Sequence, residues 1–117
     1  MRDPRAYLHD IVAACDGIRA VVGSSDAESY RSNLATRLAT ERELITLGEA
    51  VARLVEVSPE LVRDWVVPVR SVVGLRNLLV HGYFKVDDTR VFEIATEQVP
   101  QLRVDAACAL QALEDAR

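Results

Sequence analysis

The chain has 117 residues, of which 50% are apolar, 27% are charged and 5% are aromatic. This length predicts one domain, residues 1–117, with a single hydrophobic core. Fourteen Lys and Arg against eighteen Asp and Glu give a net charge of −4, which argues against a protein that wraps a long nucleic-acid duplex and leaves room only for a local nucleic-acid site.

The first predicted helix covers residues 5–22, where apolar side chains recur at helical spacing. Gly23-Ser24-Ser25 is expected to end it, because glycine and serine interrupt helices. Ser25 and Glu28 then have the spacing of a capping box, which predicts the start of a second helix.

This second helix is predicted to be long, from about residue 26 to residue 57. A helix of about 30 residues is about 45 Å long, more than a compact monomer of this size needs, so we expect part of it to pack on another subunit. The alternative is two helices broken near Gly48. The apolar stripe is broad and includes Tyr30, Leu34, Leu38, Leu44, Ile45, Val51, Ala52, Leu54 and Val55.

A short turn and a further helix follow. Ser58-Pro59 predicts a cap with proline at the first helical position, opening a turn that runs through Trp65. Pro68 is expected to begin the next helix, which continues into the octapeptide of residues 76–83.

Two helices are predicted after the octapeptide. Residues 84–89 form a turn in which Asp88 or Thr89 caps a short helix over 90–97. Pro100 is expected to open the last helix, over 101–116. No stretch sustains the alternation of apolar and polar residues that is typical of β-strands. The chain is therefore predicted to be all-α, a helical bundle.

The two cysteines and the amino terminus indicate where the protein works. Cys15 and Cys108 lack the spacing of a metal or redox pair, so both are expected to be free, buried thiols in a reducing compartment. Residues 1–10 are polar and no apolar run has the length of a membrane span. We therefore expect a cytoplasmic protein with no membrane contact.

The octapeptide Arg-Asn-Leu-Leu-Val-His-Gly-Tyr, residues 76–83, is the strongest functional signal. Four hydrogen-bonding side chains within eight residues are costly to bury without a purpose. On an ideal helix of about 100° per residue, the leucines share one face and Arg76, Asn77, His81 and Tyr83 share the other. We call these four side chains the polar front.

Arg76 and His81 have the chemistry needed for cleavage of a phosphodiester. The imidazole can exchange a proton with an oxygen on phosphorus, while the guanidinium stabilises charge on the non-bridging oxygens. Asn77 lies one turn before His81 and can fix its tautomer. RNA supplies its own 2′-hydroxyl nucleophile, so no metal is required, and no His-rich or acidic cluster beside His81 has the spacing of a metal site.

A structural role for the polar front stays open. Arg76, Asn77 and His81 could form a polar seam that specifies a dimer interface, and Tyr83 could be a core or rim residue. The only other histidine, His9, has polar neighbours and is expected at the surface. Acid–base catalysis usually needs a proton donor and a proton acceptor, and each polar front has one histidine. A two-fold dimer would bring two copies of the polar front together.

The spacing Arg-x-x-x-x-His, with Asn after the Arg and Tyr two residues after the His, resembles the signature of HEPN domains. More narrowly, the chain resembles the HepT-like toxins of two-gene toxin–antitoxin pairs. The resemblance covers most of the chain, because further segments match in order: residues 40–50, Trp65, Phe84-Lys85-Val86-Asp87 and Val99-Pro100-Gln101-Leu102.

This resemblance implies an antiparallel bundle of four to six helices that forms a homodimer with a shared cleft. It implies a metal-independent endoribonuclease, needing no cofactor, in which Arg76 and His81 are catalytic and Asn77 supports them. It also implies a partner, a minimal nucleotidyltransferase antitoxin that silences the toxin by attaching AMP to Tyr83. The alternative is a non-catalytic module that docks this nucleotidyltransferase, with Tyr83 as its substrate and Arg76 and His81 only binding phosphate.

Overall fold

The computed structural model describes residues 2–116, and over this range the chain is helical and contains no β-strand. The prediction of an all-α bundle is therefore confirmed. Short 3-10 turns occur at Pro59–Val62 and Tyr83–Lys85, and a π-helical turn occurs at Ile94–Gln98. The α-helices are α1 (Pro4–Val22), α2 (Ala27–Ser32), α3 (Leu34–Val57), α4 (Val69–His81), α5 (Asp88–Glu93) and α6 (Val99–Asp115).

Helix α1 begins and ends where the sequence predicts. The Asp3 side chain accepts a hydrogen bond from the Arg5 amide, and Pro4 occupies the first turn, where no amide donor is needed. Gly23 ends the helix with φ of 55°, a left-handed conformation that glycine adopts without steric cost.

The predicted long second helix is wrong, because the chain breaks at Asn33. Asn33 is extended, and its Oδ1 accepts a hydrogen bond from the Thr36 amide, which caps α3. The capping box before α2 is formed by Asp26 and Ser29 instead of Ser25 and Glu28. The break near Gly48 is also wrong, since α3 continues through that residue.

The bundle is built around α1 and α3. Helix α1 packs against α3 and α6, and α3 packs against α4. Helices α1 and α6 run antiparallel, because Asp16 pairs with Arg103 and His9 with Glu114. Helices α3 and α4 also run antiparallel, because Glu41 pairs with Tyr83 just after α4 and Gly48 lies against Arg76. The fully buried core includes Leu8, Ile11, Ile18, Tyr30, Leu44, Leu47, Val51, Leu54, Val72, Val91, Ile94 and Leu102.

The buried face of α3 differs from the predicted stripe at its amino-terminal end. Leu34 and Leu38 are 57% and 51% exposed, whereas Thr40 and Glu41 are buried. Because α2 turns away from the axis of α3 at Asn33, a single stripe from Tyr30 onward does not describe both helices.

The carboxy-terminal part is one continuous helical run from α5 to α6 rather than two separate helices. Asp87, not Asp88 or Thr89, caps α5 by accepting a hydrogen bond from the Thr89 amide. Pro100 cannot donate a backbone hydrogen bond, and just before it the Val99 amide bonds to the Ile94 carbonyl in the wider π geometry. The helix therefore passes through the proline instead of restarting at it.

The two cysteines differ in exposure. Cys15 is buried in the core as predicted, but Cys108 is exposed, so its predicted burial is wrong. Both thiols are free. Within residues 2–116, no helix combines the length and apolar character needed to cross a membrane.

Candidate functional site

Helix α4 carries most of the polar front, but it ends at His81. Gly82 closes the helix with φ of −140° and donates its amide to the Leu78 carbonyl. Tyr83 belongs to the following 3-10 turn. The predicted position of Tyr83 on the same helical wheel as Arg76 is therefore wrong. The orientation of the Tyr83 side chain is set by the turn instead.

Arg76 lies at the point where α4 crosses α3. An ideal Cβ atom built on Gly48 would be 2.3 Å from the Arg76 Cβ, so the two helices touch here. Nη1 of Arg76 donates to Asn77 Oδ1 at 2.9 Å, and Nη2 contacts Glu49 Oε1 at 3.4 Å. The guanidinium is thus held in place, and it lines a crevice of about 290 Å³ together with side chains of α3.

The guanidinium of Arg76 retains an unused donor. Its Nε is buried and has no hydrogen-bond partner among the described residues. Glu49, its carboxylate partner, is 55% exposed, so this ion pair is weak and easily exchanged for another anion.

His81 is exposed at the end of α4, and neither ring nitrogen has a hydrogen-bond partner within the part of the chain that the structure describes. The expected contact with Asn77 is absent, because the Asn77 oxygen accepts from the Arg76 guanidinium. A charged donor makes a stronger hydrogen bond than a neutral imidazole does. The imidazole is therefore free to meet a ligand or a second protomer.

Tyr83 makes the shortest contact of the polar front. Its side chain is 50% exposed, and its hydroxyl donates to Oε1 of Glu41 on α3 at 2.6 Å. This hydrogen bond raises the pKa of Tyr83, with smaller contributions from burial and from the negative charge of Glu41. The phenol is thus held as a neutral hydroxyl at a fixed position.

Glu41 belongs to a polar cluster that the sequence analysis missed. Only 5% of Glu41 is exposed, and its Oε2 has no hydrogen-bond partner in the described chain. Arg37, one turn earlier on α3, lies 3.6 Å from Asp88, and its Nε is likewise buried and unpartnered. The buried Tyr30 hydroxyl, also unpartnered, has its pKa raised by burial and by Glu41. We call Tyr30, Arg37, Glu41 and Asp88 the Glu41 cluster.

A weak signal for the Glu41 cluster was present in the sequence. Glu41 falls three residues after Leu38 and three before Leu44, on the side of α3 that was predicted to be apolar. A carboxylate at such a position is rare in a core. Its pairing with Tyr83, 42 residues away, depends on how α4 packs on α3 and cannot be read from spacing.

Exposed apolar side chains flank the site. Leu34 and Leu38 precede Glu41 on α3, and Val80 and Phe84 lie on either side of His81 and Tyr83. Phe84 is 85% exposed and Val80 is 43% exposed. Large apolar side chains grouped at the surface are typical of protein interfaces.

The structure also locates the other histidine and the side chains of the types that bind metal ions. His9 is exposed, as expected, and lies 3.8 Å from Glu114 on α6, away from the polar front. Within residues 2–116, no group of three or more His, Cys, Asp or Glu side chains is arranged to hold a metal ion.

Known proteins resemble this chain over most of its length. The model of the HepT-like family, described as "Ribonuclease HepT-like", matches residues 11–107. A protein of Methanocaldococcus jannaschii named "Putative RNase" is 31% identical over 116 residues, covering 97% of both chains. A "Probable ribonuclease HepT" of Thermococcus cleftensis is 28% identical over 102 residues, covering 87% of this chain and 91% of its own.

No solved structure matches the chain. The family match covers well over half of the sequence, from the middle of α1 to α6, and includes the polar front and Glu41. The chain belongs to the HepT-like ribonuclease family.

Proposed function

We propose that this protein is a metal-independent ribonuclease toxin of a toxin–antitoxin pair. In this proposal Arg76 and His81 of two protomers cleave RNA in a shared cleft. The observation that carries it is the end of α4, where an anchored guanidinium with an unused donor and an unbonded imidazole lie within one and a half turns of each other.

Arg76 is proposed to bind the scissile phosphate. Its position is held by Asn77 and by packing over Gly48, so little conformational freedom is lost when a phosphate binds. A phosphate oxygen can replace the exposed Glu49 carboxylate at Nη2. Asn77 supports this step by orienting the guanidinium rather than by fixing the tautomer of His81.

His81 is proposed to carry the proton transfers. The 2′-hydroxyl of RNA attacks phosphorus and loses its proton, while the 5′-oxygen leaves and gains one. One imidazole cannot do both in the same step, so two protomers each supply one. The exposed Leu34, Leu38, Val80 and Phe84 around the site support such a homodimer.

Tyr83 is proposed as the residue through which the toxin is silenced. A cognate nucleotidyltransferase antitoxin would attach AMP to its hydroxyl, which is half-exposed and beside His81. A bulky anionic group there would fill the cleft and repel an RNA phosphate. This arrangement fits a cytoplasmic pair with RNA as the substrate.

RNA cleavage in EDTA tests the ribonuclease proposal. Wild-type protein is expected to cleave a mixed RNA and to leave 2′,3′-cyclic phosphate ends, and His81→Ala is expected to lose cleavage while its circular dichroism spectrum and melting temperature stay unchanged. His9→Ala is the matched control, because that histidine is also exposed but lies on α1. Equal cleavage by wild type and His81→Ala would overturn the assignment.

A second function is supported by the anchoring of Tyr83. The hydrogen bond to Glu41 presents the hydroxyl to a partner enzyme even if Arg76 and His81 only bind phosphate. Under this alternative the chain docks a nucleotidyltransferase and is modified by it without cleaving RNA. Growth arrest on expression of the wild-type chain alone, relieved by His81→Ala, is expected only of the ribonuclease.

A further inference from the structure

We propose that Glu41 accepts the proton of the Tyr83 hydroxyl when that hydroxyl is nucleotidylated. This inference rests on the proposed modification of Tyr83 and assigns part of its chemistry to the substrate chain itself. Neither the spacing of the polar front nor the family match assigns a role to Glu41.

The geometry for proton transfer already exists. The Tyr83 hydroxyl donates to Oε1 of Glu41 at 2.6 Å, within the range expected for a general base and its proton. The acceptor is built into the interior: 5% of Glu41 is exposed, and it lies in the third turn of a 24-residue helix. The Tyr83 side chain is 50% exposed, so an electrophile can reach the oxygen from solvent.

The second carboxylate oxygen of Glu41 also indicates a functional role for this residue. Oε2 of Glu41 is buried and has no hydrogen-bond partner among residues 2–116. A buried, half-satisfied carboxylate costs stability, and an amide or an apolar side chain would pack here with a smaller cost. The positive charge of Arg37 lies near Tyr83, where it lowers the pKa of the hydroxyl and so opposes the effect of Glu41.

The reaction balances with one co-reactant, a nucleoside triphosphate bound by the partner enzyme. The Tyr83 oxygen forms a bond to the α-phosphorus, the bond from that phosphorus to the bridging oxygen of the β-phosphate breaks, and pyrophosphate leaves. The phenolic proton passes to Oε1 of Glu41 as the new bond forms. No phenolate stands ready beforehand, because the carboxylate raises the pKa of Tyr83, so the transfer accompanies the attack.

The variant Glu41→Gln separates proton acceptance from positioning. Its amide oxygen can still accept the hydrogen bond from Tyr83 and keep the ring in place, but an amide does not take up the proton. The fold is expected to stay intact, because Arg37 keeps its ion pair with Asp88 and no buried charge is left without a partner. Glu60→Gln is the matched control, since it makes the same change at an exposed residue of the Pro59–Val62 turn.

The experiment measures the rate of AMP addition to full-length protein by intact mass. The reaction contains Mg-ATP and the nucleotidyltransferase that the proposed function names as the partner, and Tyr83→Phe identifies the site. We expect Glu41→Gln to react about 100-fold more slowly than wild type and Glu60→Gln, with an unchanged KM for the protein substrate. An equal rate for Glu41→Gln and wild type would overturn the role of Glu41.

A second arm keeps the two proposals apart. If the nucleotidyltransferase leaves wild type unmodified, the silencing proposal fails, and acetylation by N-acetylimidazole then decides the role of Glu41. Tyr83 acetylation, read by peptide mass, should be several-fold slower in Glu41→Gln. The buried Tyr30 should stay unlabelled in both proteins, which verifies the fold. An equal or faster acetylation of Tyr83 in Glu41→Gln would show that the carboxylate only restrains the hydroxyl and would overturn the inference.

Discussion

Gly48 and Arg76 lie in direct contact where α3 and α4 cross. A Cβ atom on Gly48 would be 2.3 Å from the Arg76 Cβ and 2.8 Å from its Cγ. The Arg76 Cβ cannot move away without a shift of α4, because Cβ is fixed to the backbone. The glycine therefore sets how far Arg76 stands from α3 and how its guanidinium reaches Glu49.

Gly48→Ala is therefore expected to destabilise the protein by about 1–3 kcal/mol, the usual cost of overpacking, and to lower RNA cleavage by moving Arg76. Alanine normally stabilises a helix interior by about 0.5–1 kcal/mol relative to glycine, so the sign of the change is informative. Gly74→Ala in α4 is the control, since its Cβ would meet nothing within 4 Å. Urea unfolding measures both variants. A stabilised Gly48→Ala protein would contradict the close crossing.

Arg76→Lys should keep the charge and lose the geometry. Lysine has a single side-chain nitrogen and cannot bind Asn77 and a phosphate with separate nitrogens as the planar guanidinium can. We expect cleavage to fall by about 100-fold or more, with a melting temperature close to that of wild type. Arg70→Lys, an exposed position on the same helix, should cleave normally. Full activity of Arg76→Lys would mean that only a positive charge is needed.

Phe84→Glu should weaken the proposed homodimer. Phe84 is 85% exposed, so a charge there costs the monomer little but would be buried in a two-fold interface at the cleft. Light scattering on a sizing column should give about twice 12.9 kDa for wild type and a mass near 12.9 kDa for the variant at micromolar concentration. Val66→Glu, at a site that is 71% exposed and precedes the amino-terminal end of α4, should remain dimeric. A dimeric Phe84→Glu protein would place the interface elsewhere.

The two thiols should differ sharply in reactivity. Burial raises the pKa of Cys15 to about 12, so almost no thiolate forms at pH 8 and the sulfur is also shielded. Cys108 is exposed. A disulfide reagent such as Ellman's should therefore titrate one thiol per folded chain and two in denaturant, and Cys108→Ser should leave none in the folded state. Rapid reaction of Cys15 would show that α1 and α6 separate readily.

The Asp16–Arg103 pair predicts a small dependence of stability on pH. A hydrogen bond from Arg103 lowers the pKa of Asp16 below its usual value. A carboxyl group whose pKa is lower in the folded state than in the unfolded state stabilises the protein at pH values above its unfolded-state pKa. This contribution is lost as the pH falls through the folded-state pKa of the group. Asp16→Asn should therefore have a slightly lower melting temperature than wild type at pH 7, with a small effect because the pair is exposed, and the same melting temperature at pH 2. A constant difference across this range would assign the effect to packing.

The sequence by itself determined the helical class, the limits of α1 and the identity of the polar front. These features depend on local rules: apolar residues at helical spacing, glycine at a helix end, and four polar side chains within eight residues. The same rules failed at Asn33 and at Pro100. At each position the backbone can either continue the helix or interrupt it, and the local rules do not say which. The helix is interrupted at Asn33, where α2 turns away, and it continues through Pro100 by way of the π turn.

Only the tertiary structure decided what the polar front contacts. The contact of Arg76 with Glu49 and the hydrogen bond between Tyr83 and Glu41 follow from the way α4 crosses α3 at Gly48. Spacing along one helix defines which side chains share a face, but it holds no information on which residue of another helix lies opposite. Glu41 is 42 residues from Tyr83 in the chain, and their contact exists only because the close helix crossing brings a buried carboxylate to a surface hydroxyl.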